Sequence, residues 1–165
     1  MSLKPSSEHF DSDPFIPLYI INHRKYILSS NIGRVYFSLS GYHFNPTDLS
    51  NFLGLEPTSV NAAGMHGRID KPTISSWEIS SEKVTGTIDF YELMRNITKE
   101  LEPAKDKILT AIKNYNLSPR VTIELTLSVD KDEESPEVGF GARTTKLMAE
   151  LGAFMNVDYK LTQRI

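Results

Sequence analysis

The chain has 165 residues, no cysteine and a formal net charge of −3; that length suits one domain with a real core, and the charge lacks the basic footprint that nucleic-acid binding requires. Without cysteine, disulfides, thiolate nucleophiles and Cys-ligated zinc are excluded. Hydrophobic and charged fractions of 39% and 24% match globular averages, no run approaches the ~18 apolar residues of a membrane span, and the start "MSLKPSSEHFDSDP" lacks a signal-peptide pattern, so a cytoplasmic protein with no nucleic-acid or membrane partner is expected.

Residues 1–13 are polar and read as a frayed N-terminus. The remainder, 14–165, reads as a single domain with an N-terminal hairpin extension at about 16–29, where Leu18 to Ile21 and Lys25 to Leu28 are two β-prone runs around an Asn-His-Arg break. "RVYFSLSGYHF" alternates Val35, Phe37 and Leu39 against polar neighbours, the period of a half-buried strand. "NPTDLSNFLGLEP" is a short helix: Asn45 caps it, Pro46 occupies its first position, Leu49, Phe52 and Leu53 form its apolar stripe, and Gly54 suits a left-handed C-terminal position.

A long connection leads to the strand "ISSWEIS", with Ile74, Trp77 and Ile79. Asp89 begins a helix whose Phe90, Leu93, Met94, Ile97 and Leu101 recur at three and four. Pro103 divides it from a second helix, 104–116, with Ile108, Ala111, Ile112 and Tyr115 on its buried stripe. "PRVTIELTLSVD" is the strongest strand, with Val121, Ile123, Leu125, Leu127 and Val129 on one face. An acidic turn, a short strand "VGFGA", a helix "RTTKLMAELG" and a final strand "FMNVDYKL" complete the chain. The order strand, helix ending Leu-Gly, strand occurs near 35–79 and again near 138–161, which suggests two weakly similar halves.

The connection "GLEPTSVNAAGMHGRIDKPTISSW" is the most unusual stretch. A phosphate loop would end in Lys-Ser or Lys-Thr and lead into a helix; this one does neither, so Gly64 and Gly67 read as turn residues. His66 and Arg68, with Trp77 nearby in sequence, could line a cleft in which Arg binds a carboxylate and Trp gives an apolar anchor; the bland alternative is an exposed loop with a core Trp. The run Asp130–Glu137, including Asp132, Glu133 and Glu134, is either a solvated turn or an acidic lure for a basic partner. His9, His23 and His43 are isolated, no metal spacing or Gly-x-Ser-x-Gly elbow occurs, and no cofactor, metal or catalytic residue is assigned.

Together, "FSLSGYHFNPTDLSNFLGLEPT", the Gly-containing loop, "SWEISSE" and "LSVDKDEESPEVGFGARTTKLMAELGAFMNVDYKL" resemble the bacterial domain-of-unknown-function family numbered 4279, over about residues 35–161. The positions that carry the likeness are Leu53, Gly54, Pro57, Thr58, Gly64 and Trp77, then Leu151, Gly152, Ala153, Asp158 and Tyr159. The resemblance implies no activity; members that sit among toxin–immunity loci imply a neutralising partner role.

The expected architecture is an α+β two-layer sandwich: a mostly antiparallel or mixed sheet with helices mainly on one face. The expected function is non-enzymatic protein binding, concretely an immunity-type protein that meets a toxin through the loop 61–72 and the acidic turn 130–137. The alternatives are an enzyme or small-ligand protein with a cleft at His66, Arg68 and Trp77, and a homodimer formed through a sheet edge.

Overall fold

A computed structural model describes residues 30–63, 74–129 and 134–162. The hairpin expected at 16–29, the loop residues His66 and Arg68, and Asp132 and Glu133 lie outside the described residues.

The elements in chain order are β1 (Ile32–Gly41), α1 (Pro46–Leu53), β2 (Ser59–Asn61), β3 (Ser75–Ser80), β4 (Val84–Thr85), α2 (Phe90–Leu101), a 3-10 turn (Glu102–Ala104), α3 (Lys105–Tyr115), β5 (Ser118–Leu127), α4 (Ala142–Leu151) and β6 (Phe154–Leu161). The strands form one mixed sheet in the order β2-β3-β1-β5-β6, with β4 also pairing β1. β1 is antiparallel to β3 and β5, whereas β6 runs parallel to β5. The fold is α+β, with an open sheet.

The period of two assigns the faces. Val35, Phe37 and Leu39 of β1, Trp77 and Ile79 of β3, and Val121, Ile123 and Leu125 of β5 are all buried. They meet Leu49 and Leu53 of α1, Phe90, Met94, Ile97 and Leu101 of α2, Ile108 and Ala111 of α3, and Leu147, Met148 and Leu151 of α4 in one core. The alternate residues on the opposite face are polar, among them Arg34, Ser38, Glu78 and Glu124, and are half-buried. A sheet with one apolar face binds its helices on that face, which produces two layers.

Local chemistry sets the helix ends. The Asn45 side chain accepts the Thr47 N–H, Pro46 takes the first turn, and Gly54 closes α1 at φ 71° with its N–H on the Ser50 carbonyl, a backbone region where a side chain would be strained. Asp89 caps α2 by accepting the Glu92 N–H. The 3-10 turn at Glu102–Ala104 is where Pro103 separates α2 from α3, since proline cannot donate to the preceding turn.

A strand–helix–strand order recurs, but not with the strands expected near 35–79 and 138–161: β2 rather than β3 closes the first unit, and β5 opens the second. In β1-α1-β2, β2 is antiparallel to β3 and β3 to β1, so β2 runs parallel to β1. In β5-α4-β6, β6 is parallel and adjacent to β5. Both helices end at a left-handed glycine, Gly54 or Gly152. The expected strand "VGFGA" is not formed: residues 134–141 carry no regular element. Both sides of β5 are already occupied, by β1 and β6, so β5 itself supplies the strand that opens the second half. The short strands β2 and β4 were not expected from the sequence; three and two residues are too few to show a period.

Candidate functional site

Trp77 is the described member of the sequence-derived cleft. Its ring is completely buried in the core, and its indole N–H donates to Ser50 Oγ at 3.0 Å, while the Ser50 hydroxyl donates to the Pro46 carbonyl. The ring thus pins α1 to β3. The base of the long connection is closed by the Ala63 N–H on Ser75 Oγ at 2.9 Å. Of the acidic run, Glu134 is exposed, and its carbonyl accepts Nδ2 of the buried Asn31 at 2.8 Å; the Asn31 side-chain oxygen accepts the Ser128 N–H. One buried amide therefore ties the end of β5 and the segment after the acidic turn to the start of β1.

The open polar face of the sheet carries an ion cluster. Arg34 on β1 donates from Nε and Nη2 to the two oxygens of Glu124, directly opposite on β5, at 2.6 and 3.1 Å. Its Nη1 lies 3.5 Å from Glu78 on β3, and its guanidinium stacks over the Tyr36 ring. The hydrogen bond from Arg34 holds the Glu124 carboxyl below its ordinary pKa. Burial pushes Glu78 up, against the pull of Arg34 and with the push of Glu124. Lys83 and Lys160 also act on Glu124, so the cations balance the carboxylates of this patch. Next to it, Arg34, Lys83, Glu124, Asp158 and Lys160 help line a shallow depression of about 150 Å³, enough for a few waters. It has no paired nucleophile and base; the cluster is cross-strand pairing on a wet sheet face.

The feature that stands apart on the surface is β6. Among the described residues it is an edge strand, paired only on its β5 side. Its Met155, Val157, Tyr159 and Leu161 stand level with Val121, Ile123, Leu125 and Leu127 of β5 and so belong to the core face. Yet Val157, Tyr159 and Leu161 are 43%, 67% and 63% exposed, and Phe154 on the opposite face is 58% exposed. Met155 still packs against the core, but beyond it the helix layer stops short of this strand. Scattered apolar residues on a surface need no explanation, but a row along an unpaired edge does. Sequence reasoning placed the strand and missed the site, because the alternation of "FMNVDYKL" is the same whether or not a helix lies over its apolar side.

The family model described as "Domain of unknown function (DUF4279)" matches residues 30–162, from the start of β1 to the end of β6. The chain belongs to this family. No curated protein and no solved structure matches it. The DUF4279 match ends with β6, so the exposed strand is part of the family domain and not an appendage. Among the described residues of this DUF4279 chain, no three His, Cys, Asp or Glu are grouped to hold a metal ion, and no helix is long and apolar enough to cross a membrane.

Proposed function

We propose that the chain is a non-enzymatic protein-binding domain that engages its partner by strand addition along β6. The observation that carries this reading is the exposed row Val157, Tyr159 and Leu161 on an edge strand of eight residues. Strand addition supplies main-chain hydrogen bonds for affinity and an alternating apolar row for specificity. An immunity-type role, neutralising a toxin, is the concrete form of this reading; the acidic residues Asp132, Glu133 and Glu134 would steer a basic partner toward the domain and speed association. A small-ligand cleft at His66, Arg68 and Trp77 has less support, since the Trp77 ring is enclosed by core side chains.

The test is affinity capture from the native cell's lysate with three proteins: wild type, Tyr159→Ser with Leu161→Ser, and Asp132→Ser with Glu133→Ser and Glu134→Ser. The expected result is one stoichiometric partner, lost with the β6 variant and captured more slowly by the acidic-turn variant. Retention of the partner by the β6 variant would remove β6 as the docking strand. Capture of no other protein by wild type would overturn a toxin or any other heterologous partner.

A further inference from the structure

We infer that a second copy of this chain occupies the β6 edge, pairing β6 antiparallel with its symmetry mate about a two-fold axis through Val157, so that one sheet runs through both copies. This rests on the strand-addition reading above but not on its toxin form: the partner on β6 is a second copy.

The hydrogen-bonding groups come first. The Thr162 N–H donates to the Leu127 carbonyl of β5 at 2.8 Å. Backbone groups alternate sides along a strand, so Phe154, Asn156, Asp158 and Lys160 also face β5. Met155, Val157, Tyr159 and Leu161 then direct their N–H and C=O groups outward from the sheet. The edge is lightly guarded: no proline and no glycine interrupts β6, and Asp158 and Lys160 are its only charged residues.

Parity and charge then select the register. In an antiparallel pair, opposed residues share a face, so the two-fold must pass through a residue and not between two. Centring on Val157 or on Asp158 overlaps the most strand. With Val157 at the axis, Met155 faces Tyr159, Asn156 faces Asp158 and Phe154 faces Lys160. Those are an apolar pair, an amide that can donate to a carboxylate, and an ammonium beside an aromatic ring. With Asp158 at the axis, two carboxylates meet at a non-hydrogen-bonded position, where side chains are closest. That arrangement is repulsive. Centring on Tyr159 would oppose Asp158 and Lys160 but leave Phe154 and Met155 beyond the partner strand's Leu161, shedding apolar contact. The Val157 register alone combines full overlap, no like-charge contact and a continuous apolar row on the core face.

The absence of cysteine makes the register directly readable by single-cysteine variants of the full chain. About the Val157 axis, the two Val157 Cα atoms form a hydrogen-bonded pair at about 5.5 Å, within disulfide range. The two Asp158 Cα atoms would be about 8 Å apart, two residues out of register, which is too far to bridge. The expected result is rapid disulfide dimerisation of Val157→Cys under mild oxidation, with Asp158→Cys and Tyr159→Cys remaining largely monomeric. Val157→Pro removes only an outward N–H, which an edge strand tolerates; it should keep its circular dichroism spectrum and lose the dimer in sedimentation velocity, where wild type sediments as one. Preferential cross-linking of Asp158→Cys or Tyr159→Cys would overturn the register. A wild type monomeric throughout the accessible concentration range would overturn the second copy as occupant. If that monomer still captured a lysate partner that the β6 variant lost, the strand-addition reading would stand without this inference.

Discussion

The hydroxyls of Thr98 on α2 and Thr144 on α4 meet at 2.8 Å in the core, both almost completely buried. Thr98 has one hydrogen and places it on the Met94 carbonyl at 2.8 Å, so Thr144 must be the donor in the pair. Thr98→Val would therefore leave a buried hydroxyl without an acceptor, at a cost of about 1–3 kcal/mol. Thr98→Val with Thr144→Val removes both partners and should cost less than the sum of the single changes, a coupling of about 0.5–3 kcal/mol. Urea unfolding of the three variants checks this; strict additivity would show that the contact contributes nothing as a pair. Neither threonine stands out in the sequence, because a hydroxyl on a helix is ordinary until the opposing helix is known. Trp77 was more legible: it is spaced two from Ile79 with Glu78 between, the alternation that puts Trp and Ile on the core face.

The same alternation made the long strands and the helices readable as elements. β1, β5 and β6 each show period two over eight or more residues, and α1, α2 and α4 carry punctuation at their ends, Asn45 and Gly54, Asp89, and Gly152. What the pattern does not encode is which strands are neighbours, so the cross-strand charges of the polar face could not be paired in advance. They now give a pH prediction with two opposite signs. Arg34 depresses the folded-state pKa of Glu124 from its ordinary 4.5, so this pair stabilises the fold above that value and the contribution is lost as pH falls through the lowered one. Burial raises the folded-state pKa of Glu78; its contribution is present below 4.5 and is lost as pH rises through the raised value. Glu124→Gln should accordingly flatten the acid limb of a thermal-unfolding profile and lower stability at neutral pH. Glu78→Gln should raise stability at neutral pH and converge on wild type in acid. Both glutamates are partly exposed, so salt should shrink these effects. A Glu78→Gln variant less stable than wild type at neutral pH would mean that its pairing with Arg34 outweighs its burial.

At the scale of the molecule, the informative property is where the helix layer ends. Among the described residues the α-helices cover β3, β1 and β5 and leave β6 beyond Met155 bare on its apolar side, a fact set by the sheet order β2-β3-β1-β5-β6 and by no residue of β6 itself. That is why the candidate site was illegible in a sequence whose elements were not. Backbone geometry makes its occupancy measurable by hydrogen exchange. β1 and β5 are flanked on both sides and should exchange slowest. Along β6, the amides of Asn156, Asp158 and Lys160 are bonded to β5 and should be protected at every concentration. Those of Met155, Val157, Tyr159 and Leu161 point outward and are protected only if something covers them. If a second copy does, their exchange follows the free monomer, whose fraction in a mostly dimeric sample rises as the square root of dilution. Tenfold dilution should then speed these four amides about threefold and leave the other three unchanged. An occupant supplied by the same chain would protect them at a rate independent of concentration, and a bare edge would leave them fast throughout. The alternation of fast and slow amides along one strand would fix which backbone groups face outward, and its concentration dependence would identify what they meet.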